Sequence, residues 1–311
     1  MMRHVLTILL CYFTLTASAQ QDVMFTHYSF NTLAVNPAFA GSRNVLSATA
    51  LHRSQWVGFD GAPNSQNVSI HSPLMGGLLG TGFSLTNDKI GPTTTTGFFA
   101  DIAARIKIGS KSRLSAGIKV GMNMRSSRLA ELQVQQAGDP NFASNIQSEI
   151  LPNIGFGVYY NSPVFFLGFG APRLLRNQID GEYTGTGNEK NFLERHFYLT
   201  TGGTIKLKKD ESLKLRPSAS FRFSYAARPQ LDLTALFYID EKFWFGPMFR
   251  WYDAIGVLGG VKITDQFSAG YSFDWSMGMT TGQFNGGSHE LMLRYDFVFN
   301  QKGKIESPRK F

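Results

Sequence analysis

From residue 45 onward, hydrophobic and polar positions alternate with a period of two residues. The segment from Ser288 to Phe299 is the clearest case. His289, Leu291, Leu293, Tyr295, Phe297 and Phe299 fall on one face, and Ser288, Glu290, Met292, Arg294 and Asp296 on the other. A strand sends successive side chains to opposite faces, so this strand has one greasy face and one charged face. A soluble sandwich buries its greasy face, whereas an outer-membrane barrel turns that face to lipid and its polar face to a lumen.

Fourteen such segments are expected, near 45–54, 66–74, 78–86, 96–107, 113–124, 151–161 and 163–170, then 194–208, 213–225, 230–239, 243–251, 255–263, 266–275 and 288–299. Each approximates the roughly 9–11 residues of a tilted transmembrane strand. Leu114, Ala116, Ile118, Val120 and Met122 oppose Arg113, Ser115, Lys119 and Asn123. Leu213, Leu215, Ala219, Phe221 and Phe223 oppose Lys214, Arg216, Ser218, Ser220 and Arg222. Even-numbered connections are turn-like, and every long one (55–65, 87–95, 125–150, 171–193, 276–287) is odd-numbered. Transmembrane barrels sort loop length by side in this way, and a sandwich has no reason to. The fold class is an all-β, antiparallel transmembrane barrel of about fourteen strands. Trp56, Trp244, Trp251, Trp275, Tyr159 and Tyr160 lie near strand ends and are expected in interfacial girdles.

The first 19 residues read as a leader: a basic Met1-Met2-Arg3-His4, an apolar Val5 to Leu15, and a small-residue Ala17-Ser18-Ala19 site. The remaining division is a periplasmic N-terminal segment 20–44, a barrel 45–299 and a periplasmic tail 300–311. Localisation is the outer membrane. The single cysteine, Cys11, lies in the leader, so a mature chain starting at Gln20 has no disulfide and no thiolate nucleophile or ligand. Charged residues make up only 17% of the chain, against roughly 25% in soluble domains. The net charge of +8 is dispersed over alternating strand positions rather than gathered in a patch, which argues against a nucleic-acid partner.

Blocks along the chain also resemble the PorP/SprF family, outer-membrane proteins of the Bacteroidetes type IX secretion and gliding machinery. The N-terminal blocks are Gln21-Asp22 through Phe25, Tyr28 and Asn31, then Asn36 to Arg43, Arg53 to Pro63, His71-Ser72-Pro73 and Asn87 to Pro92. Pro152 to Tyr160, His196-Phe197, Arg250 to Ala254, Gly270 to Asp274 and Gly287 to Glu290 continue the resemblance in family order. The resemblance implies a non-enzymatic component of protein export. Its partners would be other type IX secretion components and a large secreted surface adhesin, with outer-membrane lipid around the barrel. It implies a role in adhesin secretion or attachment, or in linking the translocon to a periplasmic ring. The alternative from architecture alone is a passive porin or a small-molecule or lipid channel.

Candidate chemistry falls in two places. Trp56, Phe59 and Asp60 occupy a glycine- and proline-shaped loop that either forms a partner-docking surface or packs the barrel mouth. Asn36 and Pro37 precede the first strand as a turn starter and are grouped with that partner surface. Alternation directs Asp101, Arg105, Lys107, Arg113, Lys119, Lys214, Arg216, Arg222, Asp232, Asp274, Glu290, Arg294 and Asp296 into the lumen. Mixed charges there favour a salt-bridged plug, with a guest-binding interior as the other option. His289 and Glu290 are adjacent on one strand and face opposite ways, which disfavours a catalytic or metal pair. No catalytic residues, metal ligands or cofactors are expected.

Overall fold

The computed structural model describes residues 23–131, 145–179, 191–225, 227–278 and 286–298. The leader 1–19, the tail 300–311, Phe299 and the centres of the longest loops lie outside the described residues. Fourteen antiparallel strands form the wall. They are β1 (Leu46–Ser54), β2 (Asn64–Leu74), β3 (Leu79–Ile90), β4 (Thr93–Ile108), β5 (Ser112–Ser127), β6 (Ile146–Asn161) and β7 (Phe165–Ala171). The second half adds β8 (His196–Gly203), β9 (Leu213–Ser224), β10 (Gln230–Ile239), β11 (Phe243–Arg250), β12 (Ala254–Lys262), β13 (Phe267–Ser276) and β14 (Ser288–Phe297). Ile205–Lys206 prolongs β8 beyond Thr204 along β9. Each strand pairs with the next, and β14 returns to β1 with Phe297 opposite Leu46 and His289 opposite Ser54. The sheet therefore closes with no free edge, as a strand-built membrane protein requires.

Alternation sorts the side chains as period two demands. Ile102, Ile118, Val120, Phe245, Val257 and Leu291 are exposed on the outside, while Asp101, Lys119, Asp274 and Glu290 are buried inside. Apolar side chains face outward and charged ones inward, the reverse of a soluble fold. No helix among the described residues is long and apolar enough to cross a membrane.

Three expectations need correction. Residues 87–95 are not a loop: β3 and β4 continue to a two-residue turn at Gly91-Pro92, where Gly91 has φ +54°. Polar side chains there find cross-strand partners, Asn87 Nδ2 to Gln66 Oε1 at 2.8 Å and Thr96 Oγ1 to Asn87 Oδ1 at 3.1 Å, so the ladder outlasts the apolar band. Trp244 and Tyr159 are not girdle residues, because both are buried inside, whereas Trp251 and Trp275 are exposed. Trp244 shares its strand face with Gly246, Met248 and Arg250, and that face is interior. Finally, the segment expected outside the barrel as 20–44 lies within it over its described part.

The outward face of β5 supplies a first test. Ile118→Arg at the middle of that strand puts a cation in lipid and is expected to destabilise the barrel by about 2–4 kcal/mol in vesicles. Ile118→Leu should be near neutral. Equal unfolding midpoints for the two variants would contradict a lipid-facing Ile118.

Candidate functional site

The lumen holds the chain's own N-terminal segment. Two short 3-10 turns, Thr32–Ala34 and Pro37–Phe39, shape it. Asn36 caps the second turn from an extended backbone. Its Oδ1 accepts from the Ala38 amide at 3.0 Å, and its Nδ2 donates to Val158 O of β6 at 3.0 Å. Pro37 follows at the first helical position, where a missing N–H costs nothing. The segment runs the length of the barrel. Thr26 and His27 lie among Arg53, Asp274 and Glu290, near the long-loop ends of β1, β13 and β14. Arg43 and Asn44 reach Asp296 and Arg105 at the opposite, short-turn end, where β1 begins.

One side of the lumen receives this plug by shape. A Cβ on Gly157 would lie 2.0 Å from Asn36 Oδ1, on Gly170 2.2 Å from Val35 O, on Gly117 2.6 Å from Pro37 C and on Gly80 2.0 Å from Ala40 O. Glycine at these inward positions lets the plug backbone lie directly on β3, β5, β6 and β7. Phe39 completes that side, edge-on to His71 at 5.3 Å and to Tyr159 at 5.5 Å. Gly41 donates its amide to His71 Nδ1 at 3.1 Å.

The other side holds the plug by charge and aromatic packing. The Thr26 and His27 amides donate to Glu290 at 2.7 and 2.8 Å, and His27 Nδ1 lies 2.8 Å from Glu290 Oε1. Arg53 Nη2 meets Asp274 Oδ2 at 2.7 Å and its Nη1 meets Glu290 Oε2 at 3.2 Å and Thr26 Oγ1 at 2.8 Å. Arg250 extends the network, 3.2 Å from Asp232 and 3.7 Å from Asp274. Below it Phe30 packs on Trp244 at 5.5 Å, within a cluster containing Leu51, Leu236, Met248, Leu258 and Met292, and Arg294 lies over its ring at 5.0 Å. On the glycine side a charge contact also occurs, where Lys119 of β5 bridges Asp101 of β4 at 3.0 Å and donates to Leu33 O at 3.3 Å. At the turn end Arg43 grips Asp296, Nε to Oδ1 at 3.1 Å and Nη2 to Oδ2. Lys214 and Arg216 share Glu241 at 2.7 and 2.8 Å, and Arg216 stacks on Tyr238 at 3.8 Å. Lys206 and Lys214 hold the Glu211 carboxyl down to about 2 through hydrogen bonds and charge.

Of the residues expected in the lumen, all but Lys107 and Arg113 are buried there, including Arg222, whose Nη2 donates to Gln230 Oε1 at 2.6 Å. Lys107 is exposed and Arg113 half-buried, because the last turn of β4 and β5 runs past the packed interior. Asn36 and Pro37 are buried in the plug, so neither belongs to an exposed docking surface in this conformation. Trp56 is half-buried with φ +46°, and its amide donates to Ser288 Oγ at 3.3 Å. The Val57 amide and carbonyl bond residues 287 and 286, which anchors this loop on the rim, while Phe59 is 53% exposed and Asp60 is exposed. His289 faces outward against Tyr271 and Phe273, and Glu290 faces inward. Arg53 and Arg250 went unrecognised although period two signalled them, through the inward Ser47-Thr49-Leu51-Arg53 and Trp244-Gly246-Met248-Arg250 series. His27, Arg43 and Glu241 lie outside strands and carried no such signal.

Two outcomes follow from this geometry. Glu290→Ala leaves Arg53 and His27 buried with a lost partner and is expected to cost about 3–5 kcal/mol of unfolding free energy. A loss no larger than the roughly 0.2–1 kcal/mol of an exposed pair would remove the knot from the stability argument. In a cysteine-free mature background, Val23→Cys should react with an impermeant maleimide from the same membrane side as Phe59→Cys, and Lys111→Cys only from the other. Labelling of Val23→Cys together with Lys111→Cys would contradict a plug threaded from end to end.

Comparison with known proteins follows from this fold. Residues 17–295 match the family model described as type IX secretion system membrane protein PorP/SprF. A search of curated proteins gives no match. Similar solved structures include a Pseudomonas aeruginosa FadL homologue, 12% identical with TM-score 0.47 over 86% of this chain and 94% of that one. The Ralstonia pickettii toluene transporter TbuX is 10% identical with TM-score 0.48, covering 85% of this chain and 92% of that one. Acinetobacter baumannii Omp33 is 9% identical with TM-score 0.45, covering 82% and 98%. With all but the two ends of its 311 residues matched, the chain belongs to the PorP/SprF family of type IX secretion system membrane proteins.

Proposed function

We propose that this protein serves type IX secretion as a non-enzymatic, self-plugged outer-membrane barrel. In this role it engages a large secreted surface adhesin or other secretion components, supporting adhesin secretion or attachment or linking the translocon to its periplasmic ring. The observation that carries this reading is the filled lumen. The N-terminal segment is seated on glycines along one side and tied to Glu290 at one end and Asp296 at the other. A diffusion pore needs a continuous aqueous path, and a lumen packed around Phe30, Leu33 and Phe39 does not favour one. With the interior occupied, partner contact falls to the rims. On the long-loop rim Phe59 and Asp60 project from a loop whose backbone is fixed, with Trp56 at its base. Aromatic side chains, Phe among them, are enriched at protein interfaces. Export through the 1–19 leader and residence in the outer membrane belong to the same reading.

The deciding experiment is affinity isolation of the tagged barrel from native outer membranes, read by mass spectrometry, beside conductance of the pure barrel in planar bilayers. Co-isolation of a large adhesin or of type IX components, weakened by Phe59→Ala, with an electrically silent wild-type barrel is the expected result. Steady open-pore conductance, and isolation without partners from cells that still display their adhesins when the barrel is deleted, would favour a passive porin or lipid channel instead.

A further inference from the structure

At the turn-end rim, beside the point where the plug leaves the lumen, Arg105 and Arg113 stand on adjacent strands against the same turn after β2, the Arg105 amide donating to Leu78 O at 2.8 Å. Arg105 points inward from β4 and is 1% exposed. Its Nη2 donates to Asn44 Oδ1 at 3.0 Å, while Nε and Nη1 have no hydrogen-bond partner. Arg113, on the adjacent strand, brings a like charge to the same end of the wall. Arg113 stands on β5, opposite Lys107 and two residues along from Ser115, the register partner of Arg105. It is half-buried, and its Nη1 donates to Gly77 O at 2.8 Å across the turn after β2.

Arg105 differs from several other buried arginines of the lumen, and shares the want of a bonded carboxylate with Arg294, which lies over the Phe30 ring. Arg43, Arg53, Arg216 and Arg250 each meet a carboxylate. Asp296, an acid at the same end of the lumen, is already gripped by both Nε and Nη2 of Arg43. A buried guanidinium without a counter-charge is among the most costly groups a protein can hold. Its planar fork of donors matches an oxyanion, and a second guanidinium beside it adds charge and further donors. The surroundings extend the pattern outward. Lys107 and Lys111 are exposed on the same rim, and Leu78, Ile106 and Ile108 are exposed apolar side chains beside them. Cations at the edge of an apolar band are where the phosphates of a bilayer lie.

We propose that Arg105 and Arg113 form a binding site for a phosphate-type oxyanion, supplied either as free phosphate or as the headgroup phosphate of a lipid. Arg105 is the buried end of the site, and Arg113 is its gate to the rim. The plug residue Asn44 orients Arg105 by taking one of its donors. The site therefore couples anion binding to the seating of the plug.

The test uses the full-length mature barrel in a zwitterionic detergent. Its thermal midpoint is followed against inorganic phosphate at constant ionic strength and, separately, against short-chain phosphatidic acid. Wild type is expected to show a saturable rise in midpoint. Arg105→Gln and Arg113→Gln should each bind the probe about tenfold more weakly or worse, consistent with losing a charged hydrogen bond. Lys262→Gln, a charge removal on the opposite wall, should respond as wild type does. Without any anion, Arg105→Gln should be at least as stable as wild type, since it removes an uncompensated buried charge; if that variant does not refold, Arg113→Gln alone carries the comparison. A response to inorganic phosphate assigns a free anion, and a response to phosphatidic acid alone assigns a lipid headgroup. No saturable response to either probe, or an undiminished response in both arginine variants, overturns the proposal.

Discussion

The structure depends on what happens at the seam where the sheet closes. β14 meets β1 there, and the inward face of β14 is devoted almost wholly to the plug. Glu290 takes Thr26 and His27, Met292 packs with Phe30, Arg294 covers the Phe30 ring, and Asp296 takes Arg43. Arg53, from the other strand of the seam, completes the knot by touching Glu290, Asp274 and Thr26 together. Charges of this kind are tolerable in a confined interior only when each finds its partner. Closure of the barrel and seating of the plug are thereby linked: the last strand bonds both the first strand of the seam and the N-terminal segment.

The plug is held differently on its two sides, and the difference has a mechanical meaning. Against β3, β5, β6 and β7 it lies backbone on backbone, through positions where any Cβ would collide. Such contact depends on shape and fades with small displacements, because dispersion is short-ranged. Against β1, β11 and β14 it is held by His27 and Arg43 on Glu290 and Asp296, by the Arg53 hydrogen bond to Thr26, and by Phe30 on Trp244. Drawing the plug out would take two amides and an imidazole from Glu290, the Thr26 hydroxyl from Asp274 and the guanidinium of Arg43 from Asp296, so the segment is bound as part of the core rather than as a loosely docked lid. Removing one partner of a buried pair is far more damaging than replacing the whole pair with apolar groups, and the wall therefore constrains the plug sequence as strongly as the plug constrains the wall.

The wall was legible because period two survives both lipid and lumen. All fourteen strands, and the burial of Asp101, Lys119, Arg216, Asp274 and Glu290, follow from alternation alone. The failures are equally physical. Lys107 and Arg113 alternate correctly but sit where β4 and β5 run beyond the packed interior, so direction no longer implies burial. Trp244 looks like a girdle residue by type and position, and only its company with Met248 and Arg250 marks it as interior. The plug has neither strand nor helix period, since it is built from two single 3-10 turns and a capping Asn36. A trace of it was nevertheless present in the wall. Inward positions at Gly80, Gly82, Gly117, Gly157, Gly168 and Gly170 offer no side chains to fill a lumen, so another part of the chain has to fill it.

That same reasoning bears on what such a barrel is for. A conduit keeps its interior polar, hydrated and free of long-range ties, because binding must be weak enough for cargo to leave. Here the carboxylates at the seam are consumed internally: Glu290 alone accepts from two backbone amides, faces an imidazole and pairs with a guanidinium. Little chemistry is left inside for a transported guest to meet. The groups that remain available are at the ends, Phe59 and Asp60 above and the cationic rim of Lys107, Lys111 and Arg113 below. The plug spans the interior between those rims, bonded to Glu290 near one and to Asp296 near the other.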